Sequence, residues 1–236
     1  MEIANPKQSY YRPDEACRHP ESRIGKINKE FIQRIDAKAY PCVGAKSALH
    51  THQYRLGSYG RMGTPTTTMC LAEDLKTYIR ETRAADSHYM TMVAVFTDEI
   101  NSEIAFEQKL WMQLQKLHDV DGEAPWDPAV GKDPEDKDFS FSFHGSAFFI
   151  VGLHPHASRK ARQFGHPAMA FNLHRQFEQL RAAGTYEKMK TVIREREIAY
   201  HGSINPMLSD HGQGSEAPQY SGRKVSKQWK CPFHRH

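Results

Sequence analysis

The 236-residue chain is long enough to bury one good-sized core or two small ones, and its 39% hydrophobic and 25% charged content, with both signs interspersed, excludes a disordered polymer. Its formal charge of +4 is spread without a Lys/Arg block, which argues against a nucleic-acid partner and suits an anionic ligand or the carboxylates of a cofactor. The longest apolar run, Ala147 to Leu153, falls far short of the ~20 residues of a membrane-spanning helix, so no membrane partner is expected.

Met1 to Tyr11 is polar, without the basic start and apolar stretch of a signal peptide, and 1–20 reads as an irregular arm. Between Glu21 and Asp36, Ile24, Ile27, Phe31, Ile32 and Ile35 recur at helical spacing behind Pro20, so an amphipathic helix is expected. Pro41-Cys42-Val43-Gly44 reads as a turn. His50 to Thr68, rich in Gly, Thr, Tyr and His, reads as a long loop. A second amphipathic helix follows over Leu71–Arg83, then a buried strand over Tyr89–Thr97 and a helix from Asp98 to about His118.

The acidic, proline-containing stretch 119–138 reads as a surface loop. Phe139 to Leu153 joins the alternating FSFSFH to the apolar AFFIVGL around Gly145, which suits two antiparallel strands or one bent strand. A short basic helix (Ser158–Phe164), a strand (Ala168–Asn172) and helices at His174–Ala183 and Tyr186–Tyr200 come next. The segment 202–236 reads as an extended tail or lid. There is no internal repeat and no domain boundary. The expectation is a single α+β domain over 1–236, with a mainly antiparallel central sheet flanked by helices.

The densest chemistry lies in FHGSAFFIVGLHPHASRKAR, Phe143 to Arg162. A strand delivers His154 to its end, where a dry wall behind the ring suits a metal or haem ligand. Ser158, Arg159 and Arg162 follow, and guanidinium groups pair well with carboxylates. The bland alternative is a hydrogen-bonded turn histidine followed by a solvated basic helix, and taken alone it has the edge. His144, beside a glycine that would let a cofactor plane approach, ranks second; in strict alternation it faces solvent if Phe143 faces the core. Cys42, in YPCVGAKSA, ranks third, as a thiolate ligand or simply a small core residue. His174 and the pair His50/His52 rank lower. The four cysteines, Cys17, Cys42, Cys70 and Cys231, form no C-x-x-C pair, which favours reduced thiols over disulfides or a zinc site, and with them a cytoplasmic location.

Several blocks, YPCVGAKSAL (Tyr40 to Leu49), Phe143 to Phe164, AMAFNLHRQFEQLR (Ala168 to Arg181), Ile204 to Arg223 and the final WKCPF, resemble the YqcI/YcgG family in order and spacing. The resemblance implies a haem-dependent, dioxygen-using N-hydroxylase that binds haem b. Its substrate would be a small amino-acid-like or guanidino molecule, oxidised at a guanidine or amine nitrogen with electrons from an external reductant or redox partner. The resemblance assigns no ligand residue by itself. The order His154, His144, Cys42 therefore rests on the physical argument above, with Arg159 and Arg162 placed on the haem propionates and Ser158 beside them. Asp210, Glu216 and Glu178 are the carboxylates considered for a cationic substrate, since a buried charge requires a partner. A haem carrier or sensor without turnover, or a non-haem metal oxygenase, are the competing readings, and a homodimer is the assembly considered.

Overall fold

A computed structural model describes residues 8–85, 87–122, 124–208 and 213–235. The side chain of Ser22 accepts a hydrogen bond from the backbone N–H of Gly25 and starts helix α2 (Arg23–Asp36). The Ile24, Ile27, Phe31 and Ile35 stripe of α2 is buried, as its spacing predicts. Before it, the expected irregular arm contains a two-residue strand β1 (Tyr10–Tyr11) and a short helix α1 (Pro13–Cys17). Pro41 and Cys42 lead directly into helix α3 (Val43–His50), whose first turn is capped by the Cys42 thiol.

The expected loop over 50–68 is instead strand β2 (Tyr54–Ser58) followed by the start of helix α4 (Pro65–Ala85). Arg55 and Gly57 interrupt the apolar alternation of β2. Arg55 is nevertheless buried, because its Nε meets the Glu81 carboxylate of α4 at 2.6 Å. A charge neutralised inside the fold looks like a surface charge in the sequence. Pro65 occupies the first helical position of α4, where its missing N–H costs nothing.

Strand β3 (Thr91–Val95), helix α5 (Glu103–Asp121), strands β4 (Phe141–Phe143), β5 (Ser146–Leu153) and β6 (Ala168–Leu173), and helices α6 (His174–Ala182), α7 (Tyr186–His201) and α8 (Ala217–Tyr220) complete the chain, with one turn of 3₁₀ helix at Lys160–Arg162. The strands form one six-stranded sheet in the order β1-β2-β3-β6-β5-β4. Only β2 and β3 run parallel; the other neighbours are antiparallel. This is the expected α+β architecture around a mainly antiparallel sheet. Among the described residues, no helix is long and apolar enough to cross a membrane.

The sheet's two faces are covered unequally. Met92, Ala94, Phe148, Ile150, Met169 and Phe171 are buried in the main core, together with side chains of α4 and α5. On the other face Val93, Val95, Leu153 and Ala168 pack against α2 and α3. Phe149, Val151, Ala170 and Asn172 on that face remain only partly covered. Between β4 and β5, His144 (φ 49°) and Gly145 (φ 67°) form a two-residue hairpin turn in which both residues take the left-handed conformation.

The C-terminal segment is clasped to α5. Glu107 accepts hydrogen bonds from Ser221 Oγ (2.9 Å), from Arg223 Nε (3.1 Å) and Nη2 (2.6 Å), and from Trp229 Nε1 (3.1 Å). Removing one partner of a nearly buried ion pair strands the other. Glu107→Ala is therefore expected to lower the unfolding free energy by about 3 kcal/mol. It should also speed tryptic cleavage after Arg223 and Lys224. Urea denaturation and timed proteolysis check the two outcomes.

Candidate functional site

The partly covered patch of the sheet is the floor of a cavity of about 360 Å³, within the size range of small-molecule sites. Thr91 and Val93 of β3, Ala170 and Asn172 of β6, and Phe149, Val151 and Leu153 of β5 form the floor. The alternation of each strand selects these residues: their neighbours in sequence point into the dry core beneath α4 and α5. The walls come from α2, the start of α3, α6, α7 and the residues Asn205, Leu208, Gly214, Glu216 and Gln219.

One end of the cavity carries titratable groups. Glu216 lies just ahead of α8 and is mostly covered; its carboxylate accepts a hydrogen bond from Ser140 Oγ, and Tyr220 Oη lies 3.5 Å away. Burial raises the Glu216 carboxyl from an ordinary 4.5 to about 7; Ser140, Arg181 and Tyr220 oppose the shift and Glu178 adds to it. The imidazole of His174, buried at the start of α6, stands with Nε2 3.9 Å from Glu216 and Nδ1 3.7 Å from Glu178. Glu178 is half-exposed and paired with Arg181, whose guanidinium lies over the Tyr186 ring at 4.5 Å. A carboxyl that titrates near neutrality beside a buried imidazole can hold a cation or move a proton.

Of the residues singled out from sequence, Glu216, Arg162, Cys42 and the lower-ranked His174 line this cavity, and Glu178 stands behind His174. Arg162 donates to the carbonyls of Gly152 (3.1 Å), Tyr220 (3.2 Å) and Gln219 (3.1 Å). It has no carboxylate partner among the described residues, and burial lowers its pKa. The Cys42 thiol is pushed up by burial, with the N–H groups of Ala45 and Gly44 opposing. Asp210 lies outside the described residues.

The other candidates are placed elsewhere. His144 is exposed in the hairpin turn, its backbone N–H held by Asp121 (2.7 Å); the glycine beside it completes the turn geometry. Ser158 is exposed and bonds to Glu103 (2.8 Å). Arg159 is buried against Glu197 (2.5 Å) and Ser203, tying the 3₁₀ turn to the end of α7. His154 does end β5, but Leu153 takes the cavity side. The His154 ring stacks on Phe106 of α5 at 4.4 Å, fully buried. Neither of its ring nitrogens has a hydrogen-bond partner among the described residues.

Sequence reasoning passed over Ser140 and Tyr220 and ranked His174 low. The alternation of FSFSF sets Ser140 apart from the phenylalanines, yet nothing local says that its hydroxyl meets a carboxylate 76 positions later. Among the described residues no group of three or more His, Cys, Asp and Glu converges on a point that would hold a bare metal ion. Haem needs only one axial ligand from the protein, because the macrocycle supplies the rest. The cavity has an apolar strand floor, the cationic side chains of Arg162, Arg181, Lys190 and Arg194, the carboxylates of Asp138, Glu197 and Glu216, and one buried imidazole, which would bind iron through one ring nitrogen only by exchanging the carboxylate that faces it.

Burial holds the His154 pKa at about 4, below its ordinary 6.5, with Glu103 opposing. The unfolded chain thus takes up this proton first. The contribution is complete above about pH 6.5 and is lost as pH falls toward about 4, for a total of about 3 kcal/mol. Denaturation of His154→Phe across this window should show the wild type losing that much relative to the variant.

Comparison with known proteins places the chain's sequence in a family. The YqcI/YcgG family pattern matches residues 29–234. The uncharacterized protein YcgG of Bacillus subtilis (strain 168) is 30% identical over 208 residues, covering 84% of this chain and 82% of the relative. The uncharacterized protein YqcI of the same organism is 26% identical over 204 residues, covering 82% and 80%. No solved structure matches.

Proposed function

This chain belongs to the YqcI/YcgG family, and we propose that it is a haem-dependent, dioxygen-using N-hydroxylase acting on a guanidine or amine nitrogen of a small amino-acid-like substrate. The observation that carries the reading is the pairing of an apolar cavity with the Glu216 carboxyl, poised near neutrality beside buried His174. Haem b, when bound, supplies dioxygen activation with electrons from an external reductant. The chain's own residues do the rest.

His174 would hold iron through one ring nitrogen while the carboxylate at the other, Glu178 or Glu216, orients the ring; Cys42 and the more exposed His88 are further cavity residues of suitable chemistry. Glu216 receives the substrate. A guanidinium or ammonium entering the covered end of the cavity needs a counter-charge, and ionised Glu216 supplies it. A cationic nitrogen has no free lone pair for an oxidant, so a carboxylate near pH 7 also serves as the acceptor for the proton that must leave. Ser140 holds that carboxylate in place. The apolar floor formed by Val93, Val151 and Ala170 keeps water from the reacting nitrogen. A cytoplasmic setting, with its reduced thiols, is part of the same proposal.

Haem titration of the purified protein is expected to give a Soret band, and incubation with arginine, lysine or guanidino acids plus a reductant is expected to give an N-hydroxylated product. The absence of a Soret band would overturn the haem reading; a band without product across that panel would favour a carrier or sensor. His174→Ala should abolish or shift the band, while Cys42→Ala and His154→Ala leave it in place. A band lost only in Cys42→Ala would mean thiolate ligation.

The raised Glu216 pKa has its own signature. The folded state holds that proton more tightly than the unfolded chain does, so its stabilising effect is complete below pH 4.5 and is lost as pH rises through about 7. Glu216→Gln should therefore be more stable than wild type at pH 8, by about 3 kcal/mol. It should also abolish the rise in guanidinium affinity that the wild type shows as pH increases through 7. Calorimetric titration with a guanidino acid at a series of pH values checks the second outcome.

A further inference from the structure

We infer that Tyr220, Trp111 and Trp229 form a relay of oxidisable rings that carries a one-electron hole from the cavity to the protein surface. The purpose assigned to it, disposal of oxidising equivalents when activated oxygen meets no substrate, rests on the oxygenase reading above. The relay itself rests on geometry. Tyrosine and tryptophan are the side chains most readily oxidised by one electron. The Tyr220 ring lies 5.6 Å from that of Trp111, nearly parallel at 24°, and Trp111 lies 6.2 Å from Trp229. At the inner end, Tyr220 packs edge-on against the cavity-lining Phe149 at 5.9 Å. At the outer end, Trp229 is partly exposed in the C-terminal segment.

The proton partners differ along the chain as such a relay requires. Oxidation makes a phenol a strong acid and an indole a far stronger acid than before, so a radical persists where a base can take the proton. Tyr220 Oη lies 3.5 Å from the Glu216 carboxylate, and Trp229 Nε1 donates to Glu107 at 3.1 Å. Trp111, between them, has a buried Nε1–H with no partner among the described residues. An unsatisfied buried donor is costly and asks for an explanation. A stepping stone that passes an electron while keeping its own proton is one. Trp126, by contrast, gives its Nε1–H to the Gly131 carbonyl and packs among phenylalanines away from this line.

The steps balance. A peroxide-derived one-electron oxidant in the cavity takes an electron from Tyr220, and the phenolic proton passes to Glu216. Trp111 then reduces the phenoxyl, which recovers its proton from Glu216. Trp229 reduces the Trp111 cation and releases its Nε1 proton to Glu107. A soluble one-electron donor, such as a thiol or ascorbate, then reduces the Trp229 radical, which recovers its proton from Glu107.

Pulse radiolysis of the full chain with azidyl radicals, without haem, tests the wiring in the reverse sense, because azidyl oxidises indoles selectively and, with no soluble donor draining the hole at Trp229, a tyrosine is its resting place. The expected result is decay of the indolyl absorbance matched by first-order growth of the phenoxyl absorbance, at a rate independent of protein concentration. Tyr220→Phe should lose that growth, Trp111→Phe should slow it, and Trp126→Phe should leave it intact. Trp229→Phe, a partly exposed position, gives the same readout if Trp111→Phe fails to fold. Phenoxyl growth unchanged in Tyr220→Phe, or unchanged in both Trp111→Phe and Trp229→Phe, overturns the relay. Failure to bind haem would sink the oxygenase reading without touching this measurement. In the haem-loaded chain, peroxide without substrate should place oxygen adducts on Trp229 in the wild type and on Tyr220 in Trp111→Phe. Adducts distributed identically in the two would overturn the assigned purpose.

Discussion

The arrangement depends on an unfinished sheet edge. Strand β4 pairs with β5 only from Ser146 to Phe148, although β5 runs on to Leu153. The remaining edge lies inside the protein, where unpaired carbonyls are expensive and an open edge invites mispairing. The C-terminal segment closes it. Tyr220 Oη donates to the Phe148 carbonyl and accepts from the Phe141 N–H, taking up the ladder where β4 stops. Four residues along β5, Arg162 donates to the Gly152 carbonyl, and its other donors cap the last carbonyls of α8. Once α8 is seated along β5, its preceding residue, Glu216, projects over the partly covered face. The cavity acquires its carboxylate because the sheet needed its edge filled.

The two sheet faces then hold their titratable groups under opposite constraints. Beneath α5 the core is dry, and His154 remains a neutral ring sandwiched against Phe106, so acid works against the fold. Above the sheet, Glu216 is partly dehydrated and favours its proton, so alkali works against the fold. Both groups are buried in their uncharged forms. They differ in what an incoming molecule can do about it. A cation reaching the cavity end of the sheet relieves the penalty on Glu216 by stabilising its ionised form, whereas nothing can reach His154. A destabilising group that a ligand can rescue is a normal feature of a binding site; one that no ligand can reach is a structural compromise.

Much of the fold was legible because the chain states its periods clearly. The α2 stripe, the β-branched run of β3, and the pair α6 and α7 broken at Gly184 all lie where hydrophobic spacing puts them. What failed was local camouflage: β2 carries a buried Arg55 whose partner is 26 positions away, and β1 is only two residues long. At the site the obstacle was different. The end of β5 was correctly read as the place where His154 falls, but both faces of β5 are apolar, so alternation could not say which face held the cavity. Only the observed covering by α4 and α5 assigns Leu153 to the cavity and His154 to the core. Glu216 stood out as a carboxylate in a polar block. Its neighbours His174 and Ser140 come from positions 42 and 76 residues earlier, a proximity created by the sheet and by α8 rather than by any motif.

Tyr220 is where these constraints meet, and its single proton shows how tightly they are joined. The hydroxyl already accepts from the Phe141 N–H, so its one hydrogen must choose between the Phe148 carbonyl at 3.1 Å and Glu216 at 3.5 Å. While Glu216 is protonated it has no need of that hydrogen, and the carbonyl keeps it; the β5 edge is then fully sealed. When Glu216 ionises, its charge competes for the same hydrogen, because a hydrogen bond to a carboxylate is roughly twice as strong as one to a neutral acceptor. The seam is therefore weakest when the cavity is charged and empty. A bound cation neutralises Glu216 and lets the hydroxyl return to the strand. Filling the cavity and closing the sheet edge are thus coupled through one hydroxyl, and a phenylalanine at this position would keep the packing on Trp111 while losing that coupling.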